Sequence, residues 1–270
     1  MAGDRKTSVF GDQAGCVELL WGTRERPSRG PRPALSVERI VRTAIAVADA
    51  EGLPGVSMQR VAGELDFTKM SLYRYVPGKT ELIALMIDAA MGAPPDLPSG
   101  DASDAGSAGA SEPVAWRAAL REWAERMAEV FHHHPWLLGA TTGPRVMGPN
   151  ELSWVECAVA ALSDSGLNGA EQMDAVVVVV GHVRAIAQQA ASVGVGSARA
   201  KGPEQVMSAA LTELLLERTD RYPALTAAVS SAAAGSGRDQ AFAFGLDRIF
   251  DGLEAYIARK AGEAEPASRH

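Results

Sequence analysis

The sequence predicts an all-α protein: an N-terminal three-helix module of the helix-turn-helix kind, with a larger helical domain behind it. Three observations carry the helical assignment. Apolar residues recur three and four apart in nearly every segment after residue 35. Alanine, the best helix former, is abundant, while aromatics make up only 6%. The one stretch with strand propensity is the valine run Val176–Val180. It has helical flanks and no second strand to pair with, so it is assigned to a buried helix.

Residues 1–34 show no sustained period. They gather Arg24, Arg26, Arg29 and Arg32 with Pro27, Pro31 and Pro33, and are expected to form a flexible basic arm. The arm is either a solvated tail or a contact to phosphate or minor groove. Ser36 then caps a helix with Ile40, Val41, Ala44, Ile45 and Ala48 at helical spacing, and Gly52 stops it. Ser57 caps a short helix with Val61, Ala62 and Leu65 inward. Asp66 and Phe67 form a tight turn, and Thr68 caps a third helix that runs through Tyr75. After Pro77 and Gly78, a fourth helix starts at Lys79 or Thr80 with Leu82, Ile83, Leu85, Met86 and Ile87. This makes residues 35–80 the helix-turn-helix module, 81–262 the second domain and 263–270 a tail. Residues 93–113 are a loop rich in Ala, Gly, Ser, Pro and Asp. Trp116, Leu120, Trp123, Met127, Val130 and Phe131 then share one apolar face, which Pro135 ends. Further helices are expected near 150–162, 169–192, 203–218 and 238–261.

The formal net charge of -7 excludes a protein coated in basic residues for sequence-blind nucleic-acid binding. A small basic module remains compatible with it. Around the first helix, Arg24, Arg26, Arg29, Arg32, Arg39 and Arg42 outnumber Glu25 and Glu38. Cys16 and Cys157 are far apart and match no metal-ligand spacing, as expected of free thiols in a reducing compartment. The N-terminus lacks a charged start followed by a long apolar run. The stretch from Ala175 to Val180 is far shorter than the roughly 20 residues that cross a bilayer. The protein is therefore expected to be soluble and cytoplasmic. His132, His133 and His134 invite a metal, but adjacent helical residues point about 100° apart and rarely share one. No metal and no cofactor is expected. His182 is read as a core or interface histidine. The chain has no P-loop, G-x-S-x-G, H-E-x-x-H or glycine fingerprint after a strand, so no catalytic residue is assigned and an enzyme is not expected.

The block from Ser57 to Leu82, SMQRVAGELDFTKMSLYRYVPGKTEL, carries the function. A short helix, a tight turn and a second short helix, with the small Ala62 where the two approach, make a helix-turn-helix whose second helix enters the major groove. Met70 or Ser71, with Leu72 and Val76, can seat that helix on its neighbours. Thr68, Lys69, Ser71, Tyr73, Arg74 and Tyr75 supply donors at its outer side and ends. Lys69 and Arg74 can read guanine O6 and N7 or hold phosphates. Tyr73 can place its hydroxyl on a phosphate, and Lys79 can meet the backbone.

The runs LSVERIVRTAIAVADAEG and VSMQRVAGELDFTKMSLYRYVPGKTEL resemble the N-terminal domain of the tetracycline-repressor (TetR) family over about residues 35–90. Carried over, the resemblance implies DNA contacts from Gln59, Lys69, Met70, Ser71, Tyr73, Arg74, Tyr75 and Lys79. One departure is Asp66-Phe67, where the family's turn more often has a glycine and a small apolar residue. The helix order of the C-terminal half and the segment HPWLL, His134 to Leu138, look like the tetracycline-repressor type of C-terminal domain. That resemblance implies a homodimer in which the two longest late helices join the partner's pair in a four-helix bundle. Phe242, Leu246, Ile249, Leu253 and Tyr256 or Ile257 would form the seam of one helix. Gly181, Arg184 and Ala185 would lie on the other. Two-fold symmetry would match a palindromic operator, since one such module reads too few base pairs.

A sensing domain needs an apolar cavity with a few polar groups. Trp116, Trp123, Met127, Phe131, Trp136, Met147 and Trp154 are bulky and cluster in the expected half, with Met173 and Val177 on the long late helix. As a set they favour a hydrophobic effector, polycyclic molecules included. Thr141, Thr142 and Arg145 are placed to orient its polar groups. The expected function is a transcriptional repressor released from double-stranded DNA by this molecule. A ligand-independent or activating regulator on the same fold is the alternative, and a helical enzyme the remote one.

Overall fold

The computed structural model describes residues 14–22, 34–97, 115–193, 210–215, 218–234 and 241–264. Regular structure among the described residues is helical throughout. The α-helices in chain order are α1 (Ala14–Trp21), α2 (Val37–Glu51), α3 (Met58–Glu64), α4 (Lys69–Tyr73), α5 (Lys79–Met91), α6 (Ala115–His133), α7 (Leu137–Ala140), α8 (Pro149–Ala161), α9 (Gly169–Val193), α10 (Pro223–Ala234) and α11 (Ala241–Ala264). A 3-10 turn, Leu53–Gly55, joins α2 to α3, and residues 210–215 are also helical.

The chain divides into two compact units, Met1–Pro98 with Glu129–Ala160, and Ser99–Ala128 with Ala161–His270. The first unit therefore keeps α5, the end of α6, α7 and α8 together with the N-terminal module, rather than dividing at residue 80.

In the first unit, helices begin where serines stand. Ser36 Oγ accepts from the Arg39 amide and Ser57 Oγ from the Arg60 amide. At the end of α2, Gly52 adopts φ 75, a left-handed value that a side chain would strain. α2 buries Ile40, Val41, Ala44, Val47 and Ala48, and packs on α3 and α5. α5 answers with Leu82, Met86, Ile87 and Met91.

Residues 14–21, expected as part of an aperiodic arm, instead form α1 against α5. Eight residues do not hold a helix unaided. Burial of Cys16 and a 3.0 Å hydrogen bond from Trp21 Nε1 to the Met147 carbonyl hold this one. The arginines Arg24, Arg26, Arg29 and Arg32 lie outside the described residues, as do residues 98–114 of the loop.

A buried carboxylate joins α5 to α8. Asp88 Oδ1 accepts from the amides of Asn150 (2.8 Å) and Glu151 (3.2 Å), in the first turn of α8. The Asn150 amide group donates back to the Asp88 carbonyl at 2.9 Å. Burial pushes the Asp88 carboxyl above its ordinary range, and the two amides oppose that shift. A Cβ at Gly148 would run into this carboxylate, so the close approach requires glycine. Trp154 Nε1 donates to the Met91 and Gly92 carbonyls, closing the end of α5.

In the second unit α9 packs against α11. His182 Nε2 donates to the Phe242 carbonyl at 2.9 Å, and its ring stacks on that of Phe242. Arg117 of α6 binds Asp251 at 2.6 Å and Glu254 at 3.0 Å on α11, and the neighbouring Arg121 binds Asp247. The valine run is helical, but its burial is one-sided: Val176 and Val179 are buried, while Val177 is 66% and Val178 52% exposed. By length and composition alone, Gly169–Ser192 is apolar enough to cross a bilayer, which the short run at 175–180 does not suggest. Of the expected helix at 203–218, residues 210–215 are described and helical. α7 and α10 were not anticipated. α7 has only four residues, and α10 is an Ala- and Ser-rich stretch with a weak apolar face.

Glu171 forms a capping box with Asn168 at the start of α9. It also accepts from Tyr256 Oη at 2.7 Å and from Lys260 Nζ on α11. The Lys260 ammonium is the main cause that holds the Glu171 carboxyl at about 2. A lowered folded-state value stabilises the fold above the ordinary carboxylate pKa, and that contribution is lost as pH falls towards 2. The urea midpoint of wild type should therefore exceed that of Glu171→Gln near neutral pH. The gap should close as the buffer is taken down through the carboxylate range.

Candidate nucleic-acid interface

α3 and α4 are joined by a turn built from backbone bonds to one helix end. The Leu65 and Phe67 amides both donate to the Ala62 carbonyl, at 3.2 and 3.0 Å. Asp66 takes φ 59 between them. Aspartate is among the few residues other than glycine that enter this region at modest cost. The departure Asp66-Phe67 is thus accommodated in the backbone. Phe67 is half-buried, with the Arg39 guanidinium 6.0 Å from its ring centre.

α4 is one short turn and a half, held by its ends and one face. Thr68 Oγ1 accepts from the Ser71 amide and lies 2.9 Å from Ser71 Oγ. Leu72 and Val76 are fully buried, and Ser71 is half-buried. Met70 points away from the seat and is 72% exposed. So Leu72 and Val76 seat the helix, and Met70 does not.

The residues assigned to DNA contact stand on three helices and the turns beside them, Gln59 on α3, most on or next to α4, and Lys79 at the start of α5. Gln59, Thr68, Lys69, Met70, Arg74 and Lys79 are exposed, and Ser71, Tyr73 and Tyr75 are half-buried. Lys69 Nζ lies 5.5 Å from the centre of the Tyr73 ring, a cation–π contact that steadies both. Arg60, next to Gln59, is occupied differently. It pairs with Glu51 at 2.7 Å and with Glu64, and these carboxylates raise its pKa further. The Arg60–Glu64 spacing of four was a legible signal for that pair.

Asp49 is the functional candidate that sequence reasoning missed. It sits on α2, and its Oδ1 accepts from His134 Nδ1 at 2.8 Å and from Trp136 Nε1 at 2.7 Å. It ties the DNA-binding module to the corner between α6 and α7. Some 85 residues separate the partners, and no local pattern announces them.

The residues assigned to an effector are mostly buried. Trp116, Trp123, Met127, Phe131, Trp136 and Trp154 are buried, Thr141, Arg145 and Met147 are half-buried, and Met173 and Val177 are exposed. Several polar handles are engaged internally. Thr141 Oγ1 donates to the Leu137 carbonyl, and Arg145 pairs with the buried Glu151 at 2.6 Å. Two surface clefts, of about 490 and 440 Å3, are lined by Arg117, Ala118, Arg121, Glu122 and Glu125, and by residues of α2 and α3. Neither includes an assigned effector residue. Of the assigned dimer residues, Gly181 and Ala185 are exposed on α9. Arg184, Phe242, Ile249, Leu253 and Ile257 are half-buried, and Leu246 is fully buried within its own chain.

Residues 109–257 match the family described as "Tetracyclin repressor-like, C-terminal domain". The chain is 38% identical to the "HTH-type transcriptional repressor DrrR1" of Streptomyces coeruleorubidus, over 98% of this chain and 94% of the relative. It is 30% identical to an "HTH-type transcriptional regulator" of Saccharopolyspora erythraea, over 83% and 86% respectively. Among solved structures it is similar to the Streptomyces coelicolor TetR family protein ActR in complex with actinorhodin. The TM-score is 0.65 and the identity 26%, over 84% of this chain and 99% of ActR.

The seat and the reading surface should separate by mutation. Leu72→Ala should cost about 2–5 kcal/mol of stability and Thr68→Ala about 1 kcal/mol. Arg74→Ala, at an exposed position, should leave the urea midpoint within error of wild type.

Proposed function

We propose, from the premise that the chain belongs to the TetR family of DNA-binding transcriptional regulators, that it is a dimeric repressor which holds a palindromic operator and releases it on binding a hydrophobic effector. The observation that carries this reading is the seating of α4. Buried Leu72 and Val76 on one side leave Met70 and Arg74 exposed on the other, with Lys69 exposed at the start of the helix. α4 enters the major groove. Lys69 and Arg74 contact guanine edges or phosphates, Tyr73 donates its hydroxyl to a phosphate, and Lys79 meets the backbone beside the groove.

Repression follows the name of the relative DrrR1, a transcriptional repressor. The dimer uses the outer face of α9, where Val177, Val178, Gly181 and Ala185 are exposed, with α11 beside it. The effector is a hydrophobic molecule, by the bulk of the Trp and Met residues above and by the complex of the similar ActR with actinorhodin. Release is a population shift: the effector favours a state in which α5 tilts and the two recognition helices leave their spacing of about 34 Å. The protein works in the cytoplasm and catalyses no reaction.

Arg74→Ala combined with Tyr75→Ala should weaken operator binding by at least one to two orders of magnitude, about the loss of one good base contact or more. Its circular dichroism and its dimer elution volume should match wild type. Equal operator affinity in the double variant would contradict the assignment. In a thermal-shift screen, compounds of one hydrophobic class should raise Tm and also release the operator.

A further inference from the structure

Lys69, Tyr73 and Arg74 have polar tasks at an operator, and Met70 has none. At 72% it is the most exposed of the large hydrophobic residues among those described. It stands on the helix that reads the groove, flanked by polar groups held by one another. Thr68 and Ser71 share a 2.9 Å contact, and Lys69 lies over the Tyr73 ring. Met70 takes no part in seating the helix, since Leu72 and Val76 do that.

An exposed thioether chain gains nothing from phosphate and costs free energy while it faces water. Most of the major-groove floor is hydrogen-bonding edge. Its distinctive apolar group is the C5-methyl of thymine. Methionine, unbranched and polarisable, adapts to such a target without demanding one geometry. We propose that Met70 is a specificity-determining residue: it selects thymine at one position of each half-site by packing against the C5-methyl. This rests on the operator-binding reading above.

The test uses uracil, which keeps every hydrogen-bonding group of thymine and lacks the methyl. The probe is the tightest duplex that the full-length protein selects from a random pool. Each thymine of the half-site is replaced in turn by uracil, in both half-sites together. At one position, wild-type affinity should fall about fourfold per half-site, roughly 16-fold in all. Fourfold is the equivalent of the ~0.8 kcal/mol of one buried methyl-sized group. Met70→Ala should bind the thymine and uracil duplexes within about twofold of each other, while Met70→Leu should keep the discrimination. Arg74→Ala should weaken both duplexes alike. The inference is overturned by a half-site without thymine, by a wild type indifferent to uracil at every position, or by a uracil penalty that persists in Met70→Ala. Selection of no duplex at all would remove the operator-binding reading itself, and this inference with it.

Discussion

A helix of five residues does not hold its shape in water, because nucleation costs more than one turn of hydrogen bonds returns. α4 exists because Leu72 and Val76 are buried at its inner side. The rest of the first unit serves that burial. Thr68 caps the helix start, the Asp66 turn aims it, and the small Ala62 lets α3 come close. α3, which packs on α4, rests in turn on α2, and α2 on α5. The exposed side chains of α4 take no part in that burial.

Two carboxylates carry the module's position into the rest of that unit. Asp88 anchors α5 to the first turn of α8, and Asp49 anchors α2 to His134 and Trp136 at the end of α6. Each accepts two hydrogen bonds, so each fixes direction as well as distance. Trp21 and buried Cys16 add α1 as a brace on α5. α5 is thus held at several points along its length.

Local chemistry was legible in the sequence, and contacts between distant segments were not. Ser36, Ser57 and Thr68 marked their helix starts because caps act over three residues, and the spacing of Val61, Ala62 and Leu65 gave the inner face of α3. The valine run was assigned to a helix from its flanks, yet its exposed side, Val177 and Val178, needed the packing of α9 to be seen. α1 was hidden because its order comes from Cys16 and Trp21 docking on distant residues, not from a period of its own. For the same reason nothing local singled out Asp49, whose partners His134 and Trp136 lie far along the chain. Met70 and Ser71 were interchangeable on paper, and the observed turn of the helix decides between them.

Sequence-specific reading by α4 is tested most directly by letting the purified protein select duplexes from a random DNA pool at near-physiological salt, since phosphate contacts make the affinity salt-dependent. The expected result is one two-fold symmetric consensus with half-sites about one helical turn apart. A folded protein that enriches no consensus would contradict the account.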